Sequence, residues 1–145
     1  MKLKTLFLGA AMAGLLSTAY ALADDYLGGL VKSVEIGGKE VLVGKNTVTG
    51  LDGMTLYTWE GDVQGTATTP AEAKCYDKCA VAWPVLWAPG NTAVSGDWSL
   101  IDRTDAKDGM KQVAYKGWPL YFWFKDQKAG DTTGDGVNHW HTATE

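Results

Sequence analysis

The sequence predicts a mainly β fold: one small domain built from two sequence-related halves, with one short helix near residues 70–80 and one disulfide. Two observations carry this. The segment Gly53-Met-Thr-Leu-Tyr-Thr-Trp-Glu-Gly-Asp62 returns as Gly117-Trp-Pro-Leu-Tyr-Phe-Trp-Phe-Lys-Asp126, so both copies share the frame Gly-x-x-Leu-Tyr-x-Trp-x-x-Asp. A repeat at fixed spacing decides architecture before any single residue does. The rest of the chain is made of short apolar or alternating runs punctuated by Gly, Asp and Pro, which is the pattern of short strands and tight turns. Neither half is large enough to bury a core alone, so the two are expected to share one, related by a pseudo-twofold.

The N-terminus reads Met1-Lys-Leu-Lys4, then an apolar run from Leu6 to Ala19, then Ala21-Leu-Ala23 before Asp24-Asp25. A basic start, a short apolar stretch and a small-x-small site predict a signal peptide over residues 1–23, cleaved near Ala23-Asp24. The run is too short to span a bilayer comfortably. No cysteine lies near the cleavage point, so a protein free in the periplasm or secreted, not lipidated, is expected. Residues 24–50 are read as a leader, loosely ordered over Asp24–Lys32, and an N-terminal hairpin turning at Gly37-Gly38. Residues 51–145 form the repeat region, with copies at about 53–84 and 117–142, in one domain with the hairpin.

Within the first copy, a strand is expected over Met54–Glu60. Thr69-Pro-Ala-Glu72 then carries the marks of a helix start, with Thr at the cap, Pro at the first helical position and Glu three residues after the cap. That helix is expected to run through Cys75 and stop near Cys79 to Ala82. Trp87 to Gly96 reads as a loop. Strands are expected over Trp98–Arg103, Gln112–Lys116 and Trp118–Phe124, then an aspartate-rich loop to Val137 and a last strand over Asn138–Thr142.

Alternate side chains of a strand share a face. Tyr57 and Trp59 therefore point one way, as do Tyr121 and Trp123, while Leu120, Phe122 and Phe124 point the other. The second copy is expected to be buried on both faces and the first half-exposed. Asp62 and Asp126 fall where each strand ends; a carboxylate there accepts backbone N–H groups or the hydroxyl of a buried tyrosine. A catalytic or cation-binding carboxylate pair is the rival reading, and duplication of the whole frame favours structure. The chain has 7 tryptophans. Core filling accounts for most of them, and an aromatic platform for a planar ligand is the alternative.

Composition narrows the partners. The net charge is −4 and the only arginine is Arg103, which leaves no electrostatic footprint for nucleic acid or an anionic membrane. The two cysteines, Cys75 and Cys79, are expected to pair in an oxidising compartment, provided the helix ends or tightens between them. Copper at this loop is the alternative, and Ala80 and Trp83 stand where copper-binding loops of this spacing carry proline and histidine. His139 and His141, the only histidines, flank Trp140. As neighbours but one on a strand they would share a face, either pointing to water or forming a two-nitrogen clip for copper or zinc. A third ligand would come from Asp126, Asp131, Glu145, a methionine or a cysteine. The Asp131–Gly136 loop fails the EF-hand pattern and reads as a turn capped by its own aspartates.

Tyr57-x-Trp59-x-x-Asp62, followed by Cys75-x-x-x-Cys79-x-x-x-Trp83-Pro84 and later by Gln112-Val113-Ala-Tyr115, Pro119-Leu120-Tyr121 and Trp140, resembles the bacterial secreted-repeat proteins, lipoprotein-type chains with a Tyr-x-(Phe/Trp/Tyr)-x-x-Asp motif. The resemblance covers about Leu51 to the C-terminus. It implies an exported protein of poorly defined function and supplies no catalytic residues. The expectation is a non-enzymatic binding or structural module without a cofactor, whose partner is a periplasmic protein or a small ligand. The alternative is a copper or zinc protein using His139 and His141.

Overall fold

The computed structural model describes residues 24–145. The signal peptide expected over residues 1–23 lies outside them. Ten short strands and one short helix follow in the order β1 (Asp25–Tyr26), β2 (Val31–Ile36), β3 (Lys39–Gly44), β4 (Met54–Thr55), β5 (Tyr57–Trp59), α1 (Lys78–Ala82), β6 (Trp87–Pro89), β7 (Trp98–Ile101), β8 (Met110–Tyr115), β9 (Trp118–Pro119) and β10 (Trp140–Thr142). The fold is mainly β, with one short helix and one disulfide, as the sequence predicts.

Strand pairing is antiparallel throughout. One sheet runs β1-β2-β3-β4; a second places β8 between β7 on one side and β6 and β9 on the other; β10 pairs with β5. The backbone bonds show that the duplication reaches further back than the frame. Leu42 N–H donates to Ala143 C=O, and Leu56 N–H to Leu42 C=O. Val113 N–H donates in the same way to Leu86 C=O, and Leu120 N–H to Val113 C=O. The hairpin β2–β3 is thus the counterpart of β7–β8. At the centre, Tyr57 and Tyr121 exchange both backbone bonds, at 2.8 and 3.0 Å. Each copy's last segment is given to the other: β10 adds to β5, while Pro84 and Leu86 bond to Phe122 and Leu120.

The frame strands lie between two cores, which explains their composition. Leu56, Leu120 and Phe122 face an aliphatic cluster with Val31, Leu42, Met54, Leu86 and Val113. Tyr57, Tyr121 and Trp123 face an aromatic cluster with Trp83, Val85, Trp140 and Cys75. Leu on one face and Tyr and Trp on the other is what a period of two demands of a strand packed on both sides. The frame glycines sit in left-handed turns, Gly53 at φ 66° and Gly117 at φ 79°. At Gly117 a side chain would also strike the carbonyl oxygen of Gly65, 2.1 Å from where its Cβ would stand.

Five local expectations are corrected. The helix does not begin at Thr69: Thr66 Oγ1 takes the N–H groups of Thr68 and Thr69, and Glu72 pairs with Val63 in a bridge. The long-range bonds from Lys74 N–H to Asp62 and from Arg103 to Cys75 C=O then hold the segment extended until Lys78. Cys75 therefore lies ahead of α1 and Cys79 inside it, at a Cα separation of 5.2 Å, within the range a disulfide spans. The leader is not loose, because β1 pairs with β2. Trp87–Pro89 is a strand rather than loop, pairing with Met110–Gln112. The second frame segment is tied by β9 and by bridges at Tyr121 rather than by one continuous ladder, and Phe124 at its end is 51% exposed, not buried. Finally β10 starts at Trp140, since Val137–His139 forms a 3-10 turn.

Candidate functional site

Four indoles stack in one column through the aromatic core. Trp59 lies parallel to Trp140 at 5.3 Å between centroids, Trp140 parallel to Trp83 at 3.8 Å, and Trp83 against Trp123 at 3.9 Å. The order alternates between the copies, and the pseudo-twofold passes between Trp140 and Trp83. Tyr57 packs edge-on to Trp83 and Tyr121 edge-on to Trp140, the geometry that aromatic quadrupoles favour. Small residues make room for the column: the Trp59 ring lies over Gly61, and Trp83 and Trp123 lie against Gly134.

The motif carboxylates close this core. Asp126 accepts the Tyr57 hydroxyl at 2.6 Å, the Thr133 hydroxyl at 2.6 Å and the Thr133 N–H at 3.0 Å. Asp62 accepts the Lys74 N–H at 2.7 Å. Its other oxygen and the Tyr121 hydroxyl influence each other, yet both are buried without an ordinary hydrogen bond. Burial pushes the Asp62 carboxyl up to about 6, against the opposing pull of the Lys74 N–H, the Tyr121 hydroxyl and the Arg103 charge. Burial also raises both tyrosine hydroxyls, each beside a carboxylate. Of the frame's polar groups, the Tyr57 hydroxyl of one copy and Asp126 of the other hold each other, while Asp62 Oδ2, the Tyr121 hydroxyl and Trp123 Nε1 are buried without a partner.

Arg103 sits in the same framework, and sequence reasoning named it only as the single arginine. It is buried, donates twice to Asp105 at 2.8 Å, to Cys75 C=O at 2.7 Å and to Gln112 at 3.0 Å, and lies 4.1 Å over the Tyr76 ring. A fork of five donors suits such a junction of loop, strand and disulfide. Asp131 takes the N–H groups of Gln127 and Lys128, and Asp135 that of Thr142. They cap the loop locally.

The two ends of the tryptophan column differ: Trp59 is half-buried, whereas Trp123 is buried beneath a surface patch. At the Trp59 end the register of β5 and β10 brings Glu60 beside both histidines. His139 Nδ1 lies 3.0 Å from one Glu60 oxygen and His141 Nε2 lies 3.2 Å from the other. Trp140 points inward between them, and Trp59 Nε1 donates to Asn138 C=O. Asn138 and His139 both have positive φ, at 44° and 66°, so the turn presenting His139 is held in a conformation that favours glycine or asparagine. At the Trp123 end, Phe124 N–H donates to Ala82 C=O, and the surface is apolar, with Phe124 and Val81 exposed. Glu60 is the residue the sequence reading missed; of the third groups it named, Asp126 is buried with Tyr57, Asp131 caps its own loop and Glu145 accepts the Tyr26 hydroxyl. Among the described residues, no group of three or more His, Cys, Asp or Glu side chains has the arrangement of a metal cluster.

A family model described as "Secreted repeat of unknown function" matches residues 44–86 and 103–144. The chain belongs to that family. The two matches coincide with the two copies, and together they cover more than half of the sequence. No curated protein and no solved structure matches it. Among the described residues, no helix is long and apolar enough to cross a membrane.

Proposed function

We propose that this secreted-repeat protein works outside the cytoplasm as a non-enzymatic binding or structural module, free rather than lipid-anchored. The family's description supports export. The observation that carries the rest is how the motif groups are used. The Tyr57 hydroxyl and Asp126 are bonded to each other in the interior, and Asp62 is held by the Lys74 N–H, so the frame builds a scaffold. A ligand would meet the parts that differ between the copies, above all Glu60, His139 and His141 at the Trp59 end.

A second reading is a transition-metal site there, for copper or zinc. The favouring observation is that both imidazoles address one carboxylate, so small side-chain rotations would turn three oxygen and nitrogen donors toward one ion. Metal analysis of protein purified from its native compartment separates the two readings. The first expects no stoichiometric copper or zinc, and a His139→Ala/His141→Ala variant of unchanged stability. Stoichiometric metal that disappears in the double variant would overturn it.

A further inference from the structure

The two copies are alike in their strands but not in what covers their outer edges. In an antiparallel ladder, opposed residues alternate between bonded and non-bonded pairs, so a residue whose backbone groups are used on one side leaves its opposite number's groups facing away. Leu42 bonds to Ala143 and Leu56, on the side away from β2. Its opposite number Ser33 therefore faces outward, and its N–H donates to Asp24 C=O at 3.0 Å. The chain's own first strand, β1, covers that edge. Val113 bonds to Leu86 and Leu120, on the side away from β7. Its opposite number Leu100 faces outward in the same way, and no bond among the described residues reaches its N–H or C=O.

Burial reports the same difference. Val31 and Ser33, under β1, are buried, while their counterparts Trp98 and Leu100 are both half-exposed. Beside the open edge lies a cleft of about 830 Å³, lined along Gly96–Asp102 by β7 and its flanks and on the far side by Gly65–Ala71. That is the scale of clefts that hold small ligands and peptides.

We propose that the edge of β7 is a docking site for an extended peptide segment of a partner protein, added antiparallel as a further strand. The molecule supplies the template: Asp24–Tyr26 lies on the equivalent edge of β2 in this manner. Main-chain bonds to Trp98 C=O and to both Leu100 groups give affinity, and side chains at alternate positions enter the cleft toward Trp98 and the Thr66–Ala71 wall. The cleft lining carries Asp97 and Asp102 against Lys116, and Asp102 already pairs with Lys111, so Asp97 favours a lysine or arginine of the peptide at the Gly96 end and Lys116 an acidic residue beside it. A second copy of the folded domain is a poorer occupant, because its own Gly65–Ala71 wall stands beside its own β7.

The test is selection of random linear heptapeptides displayed on phage, with wild type as bait and Leu100→Pro as counter-bait. Proline is tolerated on an edge strand, and at Leu100 it removes the outward N–H together with a side chain packed against the aliphatic core. Ala67→Trp, which fills the cleft from the exposed wall, is a second blocking variant that leaves the β7 backbone alone. Enriched peptides should bind wild type at least tenfold more tightly than either variant, and should slow hydrogen exchange of the Leu100 amide. No enrichment over both variants overturns the proposal. So does self-association in sedimentation that either variant abolishes, since that would make a second copy the occupant.

Discussion

The Tyr57 hydroxyl donates to Asp126 across the pseudo-twofold, while the mirrored pair, Tyr121 and Asp62, stops short of an ordinary bond. Two tyrosines in the same frame therefore differ in worth. Tyr57→Phe removes a charge-assisted donor from a buried carboxylate and should cost about 1.5–3 kcal/mol. Tyr121→Phe removes a hydroxyl that pulls on the Asp62 carboxyl without an ordinary hydrogen bond, and should change stability by less than about 1 kcal/mol. Urea unfolding of the two variants side by side checks the difference; equal losses would show that the mirrored pair is bonded after all.

Asp62 makes stability depend on pH. Its carboxyl titrates at about 6 in the fold, above the unfolded value near 4, so the folded state holds the proton more tightly. The advantage is complete below about pH 4 and is lost as pH rises through about 6. Unfolding free energy should therefore fall across pH 4 to 6, by about 3 kcal/mol. Asp62→Asn should flatten that slope. A wild-type stability that rises over the same window, or a slope that Asp62→Asn leaves unchanged, would refute the assignment.

Gly117 is fixed by space as well as by φ. Gly117→Ala drives a methyl into the Gly65 carbonyl and should lower the thermal midpoint far more than Gly53→Ala, whose Cβ would meet only Ala129 Cβ at 3.3 Å. The strain of a positive φ alone is about 1 kcal/mol, common to both. A calorimetric comparison of the two variants isolates the steric part.

The disulfide closes a short loop, so reduction should cost only about 2 kcal/mol by chain entropy. The folded state should survive in reductant, with Arg103 still bridging Cys75 C=O, Gln112 and Asp105. Arg103→Lys cannot keep this fork and should cost more than reduction does, about 3 kcal/mol or above. Denaturation curves of the reduced wild type and of the oxidised variant give the ranking.

Much of the architecture was legible because a period of two sorts Leu56 from Tyr57, and Leu120 from Tyr121, into separate cores. Asp62 and Asp126 do accept backbone N–H groups, but from Lys74 and Thr133 rather than from the turns they begin, which no local pattern announces. Partner assignment was not legible: nothing in the spacing says that Tyr57 bonds to the other copy's aspartate. Glu60 was missed because only the register of Trp59 opposite Trp140 brings it to the histidines. The false helix start at Thr69 had sound capping chemistry, and lost to the distant groups of Asp62 and Arg103. The covered edge of β2 was missed because a strand as short as Asp25–Tyr26 carries no periodic signal.

The exchange of final segments has a consequence for how the chain comes to be folded. The first copy's strand β5 takes its neighbour from Trp140–Thr142, and Leu42 takes its bond from Ala143. Neither can close until the segment Trp140–Ala143 has been made. Folding is therefore late and all at once, dominated by contacts between distant parts of the chain, which makes it slow for its size. Removal of Trp140–Ala143 would take the neighbour of β5 and the bond to Leu42 away from the first copy, although the segment belongs to the second.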